Sequence, residues 1–317
     1  VTRLAVMAHY DPEGLVRPHV RRQVTALAED IEDVVVVSTA PLTDDARRWL
    51  SARARLVERA NYGYDFFSYK VGLDAAGDLT AYDEVIVCND TFVGPLRPYG
   101  RIVADMAGRA ADFWGFTETR RVRPHVQSFF VAFRPWTVDS RAFRLFWSEM
   151  EPISDRKQVI LRYEVGMSQR LYDAGFASAA YFDENDADRT LGRRRVRWWA
   201  AHRSPLPRTR AEVARFRQRA GEAWNPSSAM ADRALADGRL PYVKLDTLRY
   251  DPYGLDAGRL LTLCEQRFPD LFDGVRASLA DTAAFYRPRP AEVLRPTPLP
   301  LRPLAPLVRY TTPGATR

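Results

Sequence analysis

An α/β sheet protein is what this sequence predicts, on three observations: short continuous apolar runs, helical spacing between them, and polar residues where the runs stop. Residues 4–8 (LAVMA) and 34–37 (VVVV) do not alternate with polar residues, as befits strands of a parallel sheet covered on both faces. Between them Val20, Val24 and Leu27 recur at helical spacing behind Pro18, which suits a first helical turn.

The turn-forming Asp11-Pro12-Glu13-Gly14 closes the first strand. After Thr43 a short helix is predicted through Leu50, and residues 54–57 form a third strand. Residues 61–73 (NYGYDFFSYKVGL) read as a turn rich in aromatic side chains. Residues 83–95 (DEVIVCNDTFVGP) carry the next buried strand, 84–88, and deliver Asn89 and Asp90 to its carboxyl end. This strand, helix, strand rhythm makes the sheet Rossmann-like.

Residues 112–117 and 126–133 read as further strands, the second aromatic and suited to an antiparallel or mixed sheet. Ser140 precedes a helix with Phe143, Phe146 and Trp147 on one side, and a longer helix is expected from about Arg156 to Ala174, stopped by Gly175. Beyond it an acidic loop (183–188) precedes a basic patch of Arg193, Arg194, Arg195 and Arg197 beside Trp198 and Trp199, read as an exposed or membrane-facing loop. Helical patterns follow at 209–224, 257–268 and 271–285. The expected organisation is a core at 1–180, a helical annex at 181–286 and a Pro/Arg-rich extended or disordered tail at 287–317.

An apolar fraction of 46% with 27% charged residues excludes collagen, coiled coil and wholesale disorder. Of the net charge of +7, the tail supplies +5 through six Arg and one Glu, so the body is nearly balanced and no nucleic-acid partner is expected. Such a tail suits an anionic membrane surface or a nucleotide-bearing substrate. No stretch reaches the roughly 18 apolar residues of a membrane span, and the first residues lack a signal-peptide pattern, so a cytoplasmic location is expected. Cys88 and Cys264 stand far apart without CxxC spacing, which argues against a zinc site or disulfide framework. Neither G-x-G-x-x-G, a P-loop nor G-x-S-x-G occurs, so dehydrogenase, kinase and esterase readings have no motif support.

Open α/β sheets place ligands at the carboxyl ends of strands, so polar residues there are the first candidates. Asp90 can coordinate a metal or orient a sugar hydroxyl, with Asn89 adding hydrogen bonds; equally, Asn89-Asp90-Thr91 can cap the strand and start a turn. Asn61, Asp65 and Lys70 lie in the aromatic segment, with Gly63 permitting close approach and Arg59 offering a positive group to a diphosphate. His9 and Asp11 occupy the first strand-to-loop junction, where they contact a ligand or cap local backbone. Glu164, with Gly166 two residues on, is either a general base in a cleft or a solvated helical acid. Lys244, between Val243 and Leu245, is suited to a phosphate or a partner carboxylate.

Taken in order, AHYDPEG (8–14), NYGYDFFSYKVGL (61–73), NDTFVGPL (89–96), DFWGFTET (112–119), HVQSFFVAF (125–133) and LPYVKLDTLRYDP (240–252) resemble the rhamnan synthesis protein F family. The resemblance runs from about residue 4 to 252 and implies a GT-A-like glycosyltransferase fold. It implies transfer of a sugar, typically L-rhamnose from a dTDP-activated nucleotide donor, to a growing glycan or lipid-linked saccharide, with peripheral membrane contact. On it, His9, Asp11, Arg59, Asn61 and Asp65 border the nucleotide, with Lys70 counted in the same donor-binding segment. Asn89 and Asp90 stand by the diphosphate and donor sugar, and Glu164 is the base of an inverting displacement. Arg59 and Lys244 would steady the leaving group, while Trp114, Phe116 and His125 would shape the acceptor pocket, the alternative for the aromatic residues, Phe116 above all, being core packing.

A divalent cation (Mg or Mn) at Asp90 stays open, because the acid pair usual in GT-A enzymes is absent in that spacing. The alternatives are a glycan hydrolase using Asp90 and Glu164, and a saccharide-binding scaffold without catalysis. Donor identity, linkage and oligomeric state are not legible in the residues.

Overall fold

The computed structural model describes residues 1–203, 207 and 209–286. They form two compact units, one of residues 1–118 with 122–181, the other of 119–121 with the residues from 182 on. The tail expected at 287–317 lies outside the described residues. Among the described residues no helix is long and apolar enough to cross a membrane.

The first unit is built on seven strands: β1 (Arg3–His9), β2 (Asp33–Ser38), β3 (Arg55–Glu58), β4 (Glu84–Asn89), β5 (Phe113–Gly115), β6 (Phe130–Phe133) and β7 (Ser178–Ala180). They lie in the order β3-β2-β1-β4-β6-β5-β7. All neighbours are parallel except β6, which runs antiparallel between β4 and β5. The sheet is therefore mixed and Rossmann-like, as the apolar runs predicted. Helices α1 (Pro18–Asp30), α2 (Asp44–Ser51) and α3 (Tyr64–Ala76) make the connections between β1, β2, β3 and β4. Pro18 does open α1, and the Thr43 hydroxyl caps α2 by accepting from Ala46 N.

One core layer decides where the chemistry sits. Leu4, Val6 and Ala8 of β1, Val35 and Val37 of β2, and Val85 and Val87 of β4 alternate onto one face of the sheet. Against them pack Phe66, Tyr69 and Leu73 of α3, together with Phe143, Phe146 and Trp147 of α5 (Arg141–Ser148), which follows α4 (Tyr99–Ala107). The same layer takes Val159, Tyr163, Met167 and Leu171 from the segment after α5. The Phe66 ring lies 5.9 Å from that of Tyr163, so Asp65 and Glu164, their sequence neighbours, are carried by adjoining supports.

Four expectations need correction here. Residues 61–73 are not an aromatic turn: only the start is, and α3 begins at Tyr64 behind Gly63, whose φ of +74° a side chain would strain. Phe66, Tyr69 and Leu73 are the helical stripe that the aromatic composition obscured. Residues 126–133 are not one strand, because the short strand His125–Val126 pairs in a separate two-stranded sheet with Glu118–Thr119 and the chain enters the main sheet only at Phe130. The long helix at 156–174 is interrupted by a π-helical turn, Ile160–Val165, between α6 (Arg156–Val159) and α7 (Gly166–Asp173). Gly175, at φ +88°, ends it as expected.

The fourth correction concerns the basic patch, which belongs to the second unit. Residues 193–199 lie within α8 (Asp186–Arg203), not in a loop. Arg193, Arg194 and Arg197 are exposed as expected, but Arg195 is fully buried and forms a forked pair with Asp232 at 2.7 and 3.0 Å, and Trp198 is buried as well. A guanidinium matched by a carboxylate in two parallel bonds can be kept from water; the composition alone suggested surface. Asp188 is likewise buried between Arg233 and Arg239. Further on, α9 (Arg210–Ala220) starts with a Thr209–Glu212 capping box, and the pattern at 271–285 breaks at Gly274.

Gly72 shows how tightly α3 is seated. A Cβ there would stand 2.2 Å from Val6 Cγ1 and 2.9 Å from Val37 Cγ2. Gly72→Ala is expected to cost about 1–3 kcal/mol by overpacking, read as a lower denaturant midpoint. Gly108→Ala, where nothing lies within 4 Å, is the unaffected control.

Candidate active site at the sheet switch point

Strand order reverses between β1 and β4, since the chain leaves β1 toward β2 and β3 and returns to pair on the other side. Parallel sheets open a crevice at such a point, beyond the carboxyl ends of the strands. The register sets Ala8 beside Asn89, so both strands end at the same level. Across the gap the Tyr10 backbone N–H donates to Asp90 Oδ2 at 2.8 Å. Gln23 of α1 donates through Nε2 to the Asn89 carbonyl at 3.0 Å. Asn89 Nδ2 donates to Asp65 Oδ2 at 2.7 Å, while Asn89 Oδ1 accepts from Thr91 N and Oγ1. Asp65 stands in the first turn of α3, where the helix dipole favours a carboxylate.

Glu164 joins the same edge from the π-helical turn. The Ser128 N–H donates to Glu164 Oε1 at 3.1 Å, and the Ser128 carbonyl accepts from the Tyr69 hydroxyl at 3.0 Å. Tyr69 lies within the fields of these acids. Burial pushes its phenol well above the usual tyrosine range, and the fields of Asp65, Cys88, Asp90 and Glu164 push it further. The fields of three carboxylates from three segments thus reach one buried hydroxyl. Irregular helical turns of the π type recur at functional sites because the extra residue re-aims a side chain.

Several sequence candidates do other work. His9 is 2% exposed, with Nδ1 bonded to Ser38 Oγ at 3.0 Å, so it ties the ends of β1 and β2 together instead of facing a ligand. Asp11 is buried and takes Arg17 Nε at 2.7 Å and the amides of Glu13 and Leu15, which folds the loop after β1. Arg59 gives its terminal nitrogens to the carbonyls of Ala60, Tyr62 and Tyr64 and to Ser68 Oγ. It shapes the entry to α3, its partners are all neutral, and its Nε has no hydrogen-bond partner among the described residues. Asn61 is exposed on that entry turn.

Lys70 pairs with Asp74 at 3.3 Å on a flank of α3 turned away from Asp65 by the helical period. Trp114 is fully buried and donates Nε1 to Glu84 Oε1, at the amino end of β4, so it belongs to the core and not to an acceptor pocket. Phe116 is also core, stacked on Phe130 at 4.1 Å. His125 is 4% exposed and bonded through Nδ1 to the Arg123 carbonyl. Lys244 is half-buried in the second unit.

Among the described residues no three His, Cys, Asp or Glu side chains come close enough to hold one metal ion. Asp90 brings a single carboxylate with one oxygen already accepting from Tyr10. This donor set does not fit a divalent cation held by the protein alone. A cavity of about 660 Å³ lies elsewhere, at the amino end of the sheet, lined in part by Asp83, Arg109, Asp112, Arg134 and Trp136. None of the residues just described lines it.

With this geometry in view, comparison with known proteins is informative. The model of the rhamnan synthesis protein F family matches residues 34–202, just over half of the sequence. The chain belongs to the rhamnan synthesis protein F family. The match covers Arg59, Asp65, Asn89, Asp90 and Glu164 but is narrower at both ends than the resemblance read from the residues. An uncharacterized protein, y4gN, of Sinorhizobium fredii (strain NBRC 101917 / NGR234) is 25% identical over 58% of this chain and 49% of its own length. Virulence protein VirA of Vibrio anguillarum is 30% identical over 35% of this chain and 36% of its own. The chain therefore spans about half or less of the length of these relatives.

Among solved structures, glucosyl-3-phosphoglycerate synthase from Mycobacterium tuberculosis with phosphoglyceric acid is 14% identical over 60% of this chain and 75% of that one, at a TM-score of 0.37. A nucleotidyl transferase from Methanothermobacter thermautotroptrophicus is 12% identical over 56% and 86%, at 0.35.

In this member of the rhamnan synthesis protein F family, the sequence reading passed over Tyr69, Ser128 and Gln23. Tyr69 had a usable signal, its four-residue spacing from Asp65, once the segment is taken as helix. Ser128 and Tyr10 act through backbone groups, which no side-chain pattern reveals.

Burial lowers the pKa of His9 from 6.5 to about 4, against Asp11, which raises it. The folded chain keeps the ring neutral, so this contribution is complete above pH 6.5 and is lost as acid protonates the unfolded state down to about pH 4. Over that window the chain is expected to lose on the order of 3 kcal/mol more stability than a His9→Gln variant, by urea melts at each pH. Parallel pH profiles would show that His9 is not buried in neutral form.

Proposed function

We propose that this chain is an inverting glycosyltransferase of GT-A-like architecture. Its donor would be a nucleotide sugar, with dTDP-L-rhamnose favoured by the family, and its acceptor a glycan or lipid-linked saccharide. The observation that carries the reading is the polar edge beyond the carboxyl ends of β1 and β4, where Asp90 takes the Tyr10 amide, Asn89 holds Asp65, and Glu164 takes the Ser128 amide of a segment itself bonded to Asn89 N. Rossmann-like sheets bind nucleotides at this place.

In this reading Glu164 is the base. Its Oε1 is engaged by the Ser128 amide, so Oε2 takes the proton of the acceptor hydroxyl. The acceptor oxygen then forms its bond to the anomeric carbon as the bond from that carbon to the diphosphate oxygen breaks. The electron pair leaves with the nucleoside diphosphate, and no covalent enzyme intermediate forms. Asp90, fixed by the Tyr10 amide, orients a hydroxyl of the donor sugar, and Asn89 holds Asp65 beside it. Arg59 supports this arrangement through its loop, and its guanidinium, bonded only to neutral acceptors, keeps the positive charge that the leaving diphosphate needs. A hydrolase would use the same acids with water in place of the acceptor, so the product separates the two readings.

A panel of nucleotide sugars, read by binding and by product mass with a saccharide acceptor, is expected to yield a lengthened acceptor and free nucleoside diphosphate. Glu164→Gln should lower turnover by on the order of 10²–10⁴-fold with donor affinity kept. Failure to bind any nucleotide sugar, or turnover of Glu164→Gln near that of the parent chain, would contradict the proposal.

A further inference from the structure

The structure assigns Tyr69 as a positioning residue for Glu164, acting through the backbone of Ser128; this rests on the reading of Glu164 as base. Both backbone polar groups of Ser128 are engaged, its carbonyl by the Tyr69 hydroxyl at 3.0 Å and its N–H by Glu164 Oε1 at 3.1 Å. The flanking residues are held as well. Gln127 N donates to the Thr117 carbonyl at 3.0 Å, and Asn89 N donates to the Phe129 carbonyl at 3.1 Å. Residues 127–129 are therefore a short rigid bridge between the end of β4 and the acid.

Tyr69 is the side chain that pins the middle of that bridge. It is 0% exposed, sits one helical turn after Asp65 on the same face of α3, and reaches the bridge from the core side. Packing alone would be met by phenylalanine, as Phe66 one turn earlier shows. The hydroxyl contributes direction: with it, the Ser128 N–H points at Glu164 and leaves Oε2 turned toward the acceptor. Without it, the Ser128 carbonyl loses this partner, the bridge relaxes, and the carboxylate is no longer fixed. A displacement of about 1 Å at a catalytic group costs on the order of 10²-fold in rate.

Tyr69→Phe and Glu164→Gln, alone and together, test this by steady-state kinetics of sugar transfer. Tyr69→Phe is expected to lower kcat by on the order of 10- to 100-fold with the donor KM unchanged. In the Glu164→Gln background it should lower kcat no further, because residues acting as a unit are not additive. A Tyr69→Phe enzyme with normal kcat, or a loss that multiplies with that of Glu164→Gln, would overturn the assignment. If Tyr69→Phe does not fold, Tyr69→Met, which also lacks the hydroxyl but fills the core with a flexible apolar chain, serves instead. A fall in its kcat at constant donor KM that does not multiply with that of Glu164→Gln supports the bridge, and an unchanged kcat overturns it. The two ideas fail differently. Normal turnover in Glu164→Gln removes the base itself, whereas slow Glu164→Gln with normal Tyr69→Phe removes only the role of Tyr69.

Discussion

The hydrogen bond from the Tyr10 amide to the Asp90 carboxylate ties β1 to β4 just past the last residues that pair across the sheet. At the switch point β1 and β4 run side by side, but the chain beyond them departs in different directions and leaves backbone donors exposed to the crevice. A carboxylate satisfies such a donor better than a neutral acceptor does. With Tyr10 held, the loop after β1 can fold on Asp11, and with the end of β4 held, Asn89 can reach Asp65. That contact, with the bond from Asn89 to Asp65, orders this polar edge.

The hydrophobic layer supplies the other half of the arrangement. Valines of β1, β2 and β4 on one face of the sheet accept α3 and the helical segment 156–173 side by side. Packing brings Phe66 against Tyr163, and the acids next to them in sequence follow. The carboxylates at the edge are thus placed by apolar contacts beneath them, and the Tyr69 phenol is held protonated by its burial first and by their fields second.

Much of this was legible in the sequence. Continuous apolar runs marked β1, β2 and β4, and the polar residues that end β4 marked the edge where Asn89 and Asp90 stand. Glu164 was legible as an acid next to a glycine-containing helix, though the π-helical turn that aims it was not, because its extra residue leaves no signature in the pattern. His9 and Lys70 misled for a common reason. A polar side chain near a predicted site is as able to satisfy its own loop, strand or helix as a ligand, and only geometry tells these uses apart. Trp114 and the Arg195–Asp232 pair show the complementary error, in which polar or amphipathic groups are buried because a partner waits for them.

Hydrogen exchange with and without a nucleotide sugar tests the central claim, that the switch-point edge is the donor site, most directly. Slowed exchange of the backbone amides in the loop after β1, at the start of α3 and at residues 89–92 is the result this account predicts. Binding that slows exchange only at the amino end of the sheet, around Arg109 and Trp136, would contradict it.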